Sequence, residues 1–428
     1  MNLSGSNEQL IALSQNVIAT LQALLPEKGI TAKLHFELEG CYIPFSHDSS
    51  ATESSHSPTK FDALNHSLAQ LGIAGKIISE YWQRQWEFVS AFNGQSPLEE
   101  ANNLALLINK LPVLFRYHQI GQVLIKPVVW FGDKGKLAPE CDNIFSTDTR
   151  AVHVPNAIQL NVSVWRGQEN LLARQPFGEN LQQVLMSRSQ ACSLLFLPEE
   201  EAFLRIALKS HYGLHNELCS PDEISGGHQG SVALYRKRGK HNQPMGKTTL
   251  VVDQHNHTLK STNNWQSTTR IEHRLGASSV FYNPYINIIF ALLCVLEALD
   301  LEGSDIQRTK LLQEKARLPN SLFDQQNSTG GDVKYGAISL FSQDLWFAQA
   351  IDNALLQYRK SATFCDLHHT KNGAINDDLP VAGCNADSLI NEGLCLNNTT
   401  TGNKKTSIGR HIHQLIINQY RSPSLIIS

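Results

Sequence analysis

The sequence predicts an α+β fold, on three observations. Stretches that alternate polar and apolar residues with a period of two recur at 33–39, 157–165 and 268–275, the pattern of half-buried strands. Around them lie helical stripes at 8–25, 61–71, 99–114 and 182–197. An apolar run from Ile288 to Leu296 is far short of the ~20 residues a membrane span needs and reads as a buried core helix.

A length of 428 residues allows about two or three domains, and no internal repeat is present. The net charge of −3 comes without any basic block, so nucleic acid and acidic membrane surfaces gain no electrostatic support and small charged ligands fit better. The N-terminus lacks a basic region followed by an apolar stretch, so no secretory signal is expected. The 8 cysteines form no CxxC pair. Reduced thiols and a cytoplasmic location follow as the expectation, and the sequons at Asn397 and Asn398 then carry no meaning.

Taken in order, Leu10, Ile11, Val17, Ile18, Leu21 and Leu24 make a helical stripe that Pro26 and Gly29 end. In the strand Lys33–Glu39, Glu37 and Glu39 share a face. Two adjacent carboxylates repel unless a cation lies between them, although an exposed strand face explains a single Glu-x-Glu equally simply. Residues 47–60 are a polar loop. Glu80 and Glu87 would fall on opposite faces of one regular strand, so their convergence requires a turn or bulge at 83–85. A helix over 99–114 precedes a strand at 121–130, which Pro127 makes an edge or an interrupted strand. In the strand 157–165, Gln159, Asn161 and Ser163 share a face, as expected of a strand lining a site. One helix is expected over 182–197. Gly226 to Arg236 lacks both common phosphate-loop patterns. Further helices are expected at 305–317, 343–360 and 412–420. Residues 319–335 read as loop, and 363–407 as loop or disorder. Cys365, His368, His369 and Cys384 fit no zinc template and read as surface residues.

The stretch that organises the rest is Thr268 to Leu275 and its continuation through Asn283-Pro-Tyr285 into the apolar helix. On a strand, Arg270, Glu272 and Arg274 project to one side, and Ile271, His273 and Leu275 to the other. If the charged side is buried, a cation for the glutamate and a phosphate or carboxylate for the arginines satisfies it; if solvated, cross-strand ion pairs do. The pattern Arg-Ile-Glu-x-Arg followed by Asn-Pro-Tyr and an apolar helix resembles the C-terminal signature of the glutamine synthetase catalytic domain.

The resemblance recurs in order over about residues 8–300. It takes in Glu37-Leu-Glu39, Glu80 with Gln85-Trp-Glu87, Leu124-Ile-Lys-Pro127, the strand Ala157 to Trp165, Pro198 to Ile206 and Pro221 to Arg236. It implies an antiparallel sheet curved into a half-barrel and packed by helices, with two divalent ions at one mouth. By carry-over, Glu39, Glu80 and Glu87 hold one Mg ion, and Glu37, Glu272 and Gln159 hold the one bridging the phosphates of ATP. Arg236 and Arg270 face phosphate; Arg205 and Arg274 face the acid substrate. Residues 1–362 form the catalytic domain and 363–428 a polar, partly disordered extension.

This sequence departs from the family at several points. The metal-ligating histidine is Gln159, and the second histidine is Asn161. Val154-Pro155 stands where an Asn-Gly pair grips the substrate, Ser231 where an ATP-facing arginine belongs, and Cys219 near the acidic flap residue, with Glu217 two residues away. The N-terminal domain that completes the neighbouring site in ring assemblies has no counterpart before Lys33. A homo-oligomer is left open, but the usual ring is not expected. The resemblance therefore implies an ATP- and Mg-dependent ligase joining an acid to ammonia or an amine. The alternatives are a catalytically impaired relative that binds nucleotide, metal or an amino acid and acts through a partner, and a scaffold whose acids and arginines pair with each other.

Overall fold

The computed structural model describes residues 3–45, 59–82, 84–91, 94–130, 153–174, 176–208, 217–218, 231–239, 243–255, 257–303, 316–325, 333–369 and 407–420. The chain divides into two compact units, Leu25–Asp344 and Met1–Leu24 with Leu345–Ser428. In order, the elements begin with α1 (Leu3–Glu27), β1 (Thr31–Ile43), α2 (Thr59–Gln70), β2 (Gly75–Ser79), β3 (Gln85–Ser90) and α3 (Pro97–Tyr117). Next come β4 (Gln122–Leu124), β5 (Val128–Trp130), β6 (His153–Pro155), β7 (Ile158–Arg166), β8 (Glu169–Asn170), α4 (Phe177–Ser189), α5 (Ser193–Phe196) and α6 (Glu201–Leu208). Then follow β9 (Glu217–Leu218), β10 (Val232–Tyr235), β11 (Lys247–Val252), β12 (Thr258–Asn263), α7 (Trp265–Thr268), β13 (Arg270–His273), α8 (Pro284–Asp300) and β14 (Ala316–Arg317). Helices Ala337–Gln343, Trp346–His369 and Ile408–Tyr420 complete the described chain.

An open antiparallel sheet of 8 strands runs in the order β10, β13, β7, β1, β3, β2, with β4 also on β1 and β8 on β7. Its two faces differ because side chains alternate along every strand. Leu34, Phe36, Leu38, Leu160, Val162, Val164 and Ile271 are buried on one face, where α3, α4 and α8 pack. Each such side chain contributes about 1.5–3 kcal/mol on leaving water. The opposite face carries the polar residues of β1, β7 and β13.

Two local devices fix this sheet. Gly40 lies across from Trp86 in the β1–β3 ladder, and a Cβ there would come 2.3 Å from the indole. The missing side chain lets Trp86 lie flat and donate from Nε1 to the Cys41 carbonyl at 3.0 Å. Beyond the end of β3, the free Phe36 N–H donates instead to Glu100 Oε1 at 2.8 Å, so a buried acid of α3 extends the ladder. Burial raises the Glu100 carboxyl above its ordinary range.

Helix α8 is the apolar run anticipated from the sequence, and Pro284 to Leu296 are all buried. Asn283 Oδ1 accepts from Tyr285 N at 3.0 Å and Ile286 N at 3.2 Å, while Pro284 occupies a position that needs no N–H. In the smaller unit, Ile408–Tyr420 packs on Trp346–His369. A Cβ at Gly409 would lie 2.0 Å from the Ala348 carbonyl, so this glycine sets the approach of the two helices.

The strand over 121–130 is interrupted, as Pro127 led one to expect: β4 pairs with β1 and β5 with β6, and the proline between them has no N–H to give a ladder. Other expectations need correction. The single helix over 182–197 breaks after Ser189, whose hydroxyl donates back to the Leu185 carbonyl at 2.6 Å. The helix expected at 343–360 runs from Trp346 to His369, across the start of the expected loop, and a short helix not expected from the sequence, Ala337–Gln343, precedes it. The helix expected at 305–317 falls largely outside the described residues, and Ala316–Arg317 pairs instead with β9. Among the described residues no helix is long and apolar enough to cross a membrane.

Candidate functional site

The candidate site is the polar face of the sheet, and strand register decides who stands on it. Directly opposed residues of an antiparallel ladder share a face. Glu37 opposes Gln159, and His35 opposes Asn161. Glu39 opposes Glu87. Glu272 opposes Asn161 from the other side, and Tyr235 opposes Arg270. Four glutamates from β1, β3 and β13 therefore stand on one face with Gln159, Asn161 and Arg270.

Glu80 joins them through the turn that the sequence required. Between β2 and β3 the chain reverses with Arg84 at φ 67, Gln85 N donates to Trp82 O at 2.9 Å, and Glu80 N donates to Gln85 O at 3.1 Å. Two residues along from Ile78, which opposes Glu87, Glu80 has the same facing. Both Glu80 and Glu87 are half-buried.

The side chains on this face are linked from strand to strand. Asn161 donates from Nδ2 to Glu37 Oε1 at 3.0 Å and accepts from Arg270 Nε at 2.8 Å. Gln159 donates from Nε2 to Glu39 Oε1 at 3.3 Å, and Ala157 N donates to Glu39 Oε2 at 2.8 Å. Glu272 lies 3.4 Å from Arg274 Nε and 3.9 Å from Arg270 Nη2. Among the described residues no group of three or more His, Cys, Asp or Glu side chains is gathered closely enough to hold a metal ion. Much of the acid charge is met by amides and guanidinium groups.

Not all of it is met. Gln159 Oε1 is a buried oxygen that accepts no hydrogen bond, and the Tyr235 hydroxyl is a buried group that makes none; Glu272 Oε1 accepts none either, and the charge it meets is Arg274 Nε at 3.4 Å. An unanswered amide oxygen beside the carboxylates of Glu37 and Glu272 is ligand chemistry for a hard divalent cation, since carboxylate and amide oxygens suit magnesium. The residues at 37, 159 and 272 therefore fit such an ion by composition.

Arg205, on α6, is 3% exposed and donates to the carbonyls of Leu275 at 3.2 Å and Arg274 at 3.2 Å. Its Nε makes no hydrogen bond, and among the described residues it enters no ion pair. Burial brings its pKa down to about 10; Glu39 opposes the shift and Arg274 adds to it. A buried cation so weakly compensated is the natural seat of an anion.

Arg236 is not brought to this face. It follows Tyr235 on β10 and so turns to the opposite side, against α4. There Nη1 donates to Glu179 Oε1 at 2.6 Å and Nη2 to Glu179 Oε2 at 2.8 Å, while Nε and Nη2 reach the carbonyls of Leu172 and Arg174. A Cβ at Gly178 would lie 2.8 Å from Arg236 Nη2, so the glycine makes room for this fork.

Sequence reasoning passed over three polar residues. Asn156, fully buried, accepts from Gln85 Nε2 at 3.0 Å and donates to the Lys126 carbonyl at 3.0 Å, which ties β3 to the two segments beside it. His35 stands across from Asn161; burial, and then Arg270, lower its pKa to about 3 and keep the imidazole neutral. Tyr235 carries no motif, and only its pairing with Arg270 marks it. Cys219 and residues 221–230 of the stretch Pro221 to Arg236 lie outside the described residues, as does the Glu217 side chain.

No protein-family model matches the chain, and no curated protein does. Solved structures do. One, described as a novel glutamine synthase homolog, aligns at 14% identity over 94% of this chain and 75% of its own, with a TM-score of 0.53. Two structures of GmaS align more loosely. The apo form gives 15% identity over 84% and 74% with a TM-score of 0.46, and an ADP complex gives 13% over 84% and 75% with 0.47. At these identities the likeness is one of fold.

Proposed function

We propose that this chain, which has the fold of a glutamine synthetase homologue, is an ATP- and magnesium-dependent ligase that joins a carboxylic acid, glutamate or a related acid, to ammonia or an amine. The observation that carries the proposal is a pair of buried polar groups left incompletely answered: Arg205 on α6 enters no ion pair among the described residues, and Gln159 Oε1, beside Glu37 and Glu272 on the sheet face, accepts no hydrogen bond. Those deficits call for a carboxylate at the first and a cation at the second.

In this reading the sheet curves as a half-barrel and its open mouth takes the substrates. Glu37, Gln159 and Glu272 would hold one magnesium ion and Glu39, Glu80 and Glu87 a second; bound there, the ions would neutralise phosphate oxygens. Arg270 faces the transferring phosphoryl group, and Arg205 with Arg274 holds the acid. Arg236 supports the sheet instead of touching phosphate. The acid's carboxylate oxygen attacks the terminal phosphorus and ADP leaves. The amine nitrogen then attacks the acyl carbon, loses a proton and expels phosphate. Positioning and charge neutralisation are what such transfers need. The protein acts on small molecules in the cytoplasm, with residues 1–362 as the catalytic part and 363–428 as an extension.

The test is melting with Mg·ATP followed by phosphate release. A ligand at one hundred times its dissociation constant stabilises by about 2.7 kcal/mol, and Glu272→Gln abolishes that shift. Phosphate release that needs both an acid and an amine establishes the ligase. No shift with Mg·ATP refutes the proposal and leaves the scaffold.

A second reading, a nucleotide- or amino-acid-binding relative with impaired chemistry, is favoured by one observation. Asn161 and Gln159 spend their amide N–H groups on Glu37 and Glu39, acids that the ligase assigns to cations. A shift without phosphate release for any acid and amine pair selects it, and turnover gained by Gln159→His shows that this position limits the chemistry.

A further inference from the structure

Tyr235 closes the polar face at its β10 edge. It is 0% exposed, it opposes Arg270 in the ladder, and the Arg270 guanidinium sits over its ring at 5.4 Å. Ala233, Met245 and Trp265 pack around it on the same face and hold the ring in place. Its hydroxyl nevertheless makes no hydrogen bond. The ladder places Tyr235 opposite Arg270 and two residues from Ala233, which opposes Glu272, so the ring borders the charged centre as well as the apolar packing. Burial, with Glu272 adding to it, pushes the phenol above its usual range, and the group stays a neutral donor.

An O–H buried without a partner is costly, and a tyrosine at an apolar site is cheaply replaced by phenylalanine. Gln159 Oε1, which accepts no hydrogen bond, and the ion-paired carboxylate of Glu272 stand on the same face. A neutral donor beside an arginine and among acceptors suits an oxyanion that arrives with its own cation. We infer that the Tyr235 hydroxyl donates a hydrogen bond to the terminal phosphoryl group of a cation-bound nucleoside triphosphate held against Arg270. The inference rests on the nucleotide reading of this face and adds a ligand contact that the synthetase resemblance does not supply. Arg270 attracts the charge, and Tyr235 distinguishes a ligand with a terminal phosphoryl at that spot from one without.

The experiment compares Tyr235→Phe with the wild-type full-length chain by thermal melting and titration calorimetry, with Mg·ATP and Mg·ADP. The expected result is a loss in Mg·ATP affinity of roughly ten- to hundredfold, the scale of one hydrogen bond to a charged group, with a much smaller loss for Mg·ADP. The ligand-free melting temperature stays close to wild type, because the removed hydroxyl has no partner to lose. Equal affinity of the variant for Mg·ATP overturns the inference while leaving the nucleotide reading intact. A lower ligand-free melting temperature with an unchanged ligand response also overturns it, and shows that the hydroxyl is satisfied within the protein. A wild-type chain that responds to neither nucleotide removes the reading itself, and the inference falls with it.

Discussion

The Arg236–Glu179 fork separates a structural arginine from a ligand-binding one, and Glu179→Ala tests it. The pair makes two short bonds, 2.6 and 2.8 Å, with side chains 9% and 24% exposed. Stripping one partner from a buried ion pair costs about 3–5 kcal/mol, because the remaining charge is stranded. Bonds from Arg236 to the Leu172 and Arg174 carbonyls survive in the variant. Water also reaches the Glu179 side, so the expected loss lies at the lower end, about 3 kcal/mol. Arg236→Met keeps the stem and strands a glutamate that is partly rehydrated, so about 2–3 kcal/mol is expected. The double variant should cost less than the sum of the two, with a coupling of at least about 1 kcal/mol. Urea unfolding measures all three, and the midpoint should move at constant slope. The Mg·ATP-induced shift should be unchanged in Arg236→Met. A variant as stable as wild type that loses its nucleotide response refutes the reasoning and returns Arg236 to the phosphate.

Three further outcomes follow from the fold. Burial lowers the His273 pKa to about 3, so below about 6.5 the unfolded chain takes up a proton that the folded one refuses. The resulting stability is present above that pH and is lost as pH falls toward 3, at about 1.4 kcal/mol per unit; His273→Leu should flatten the acid limb of an unfolding series, and an equal slope rejects the assignment. Gly40→Ala drives a methyl into the Trp86 indole and should cost about 1–3 kcal/mol in urea unfolding, whereas a neutral result means the ring can move aside. Asn283→Ala removes the side-chain cap of α8 and should lower stability by about 1 kcal/mol, while Asn283→Asp, which still accepts from both N–H groups, should not.

What the sequence made legible was whatever a local period encodes. The alternation in β1, β7 and β13 gave both faces of the sheet, including His273 turned to the core against Phe196 at 4.8 Å. The apolar run gave α8, and the spacing of Glu80 and Glu87 demanded the reversal at Arg84. Register between distant strands has no local period, so the facing of Arg236 was not legible. It depends on Tyr235 pairing with Arg270, and its partner Glu179 lies 57 residues earlier. The β11–β12 hairpin escaped for a related reason, since among the described residues its Thr- and Lys-bearing strands pair with each other alone and have no apolar stripe to announce them.

The amides at 159 and 161 show the boundary between the two kinds of information. In the sequence they register only as departures from histidine. In the fold each does a task that depends on carrying a donor and an acceptor at once. Asn161 gives its N–H to Glu37 and takes one from Arg270, which binds β1 to β13 through β7. Gln159 gives its N–H to Glu39 and leaves its carbonyl oxygen unanswered. Neither amide titrates, so these two positions hold the same charge throughout the physiological range, where an imidazole changes its own. His35, held neutral at a pKa of about 3 by burial and then by Arg270, adds no titration of its own in that range either.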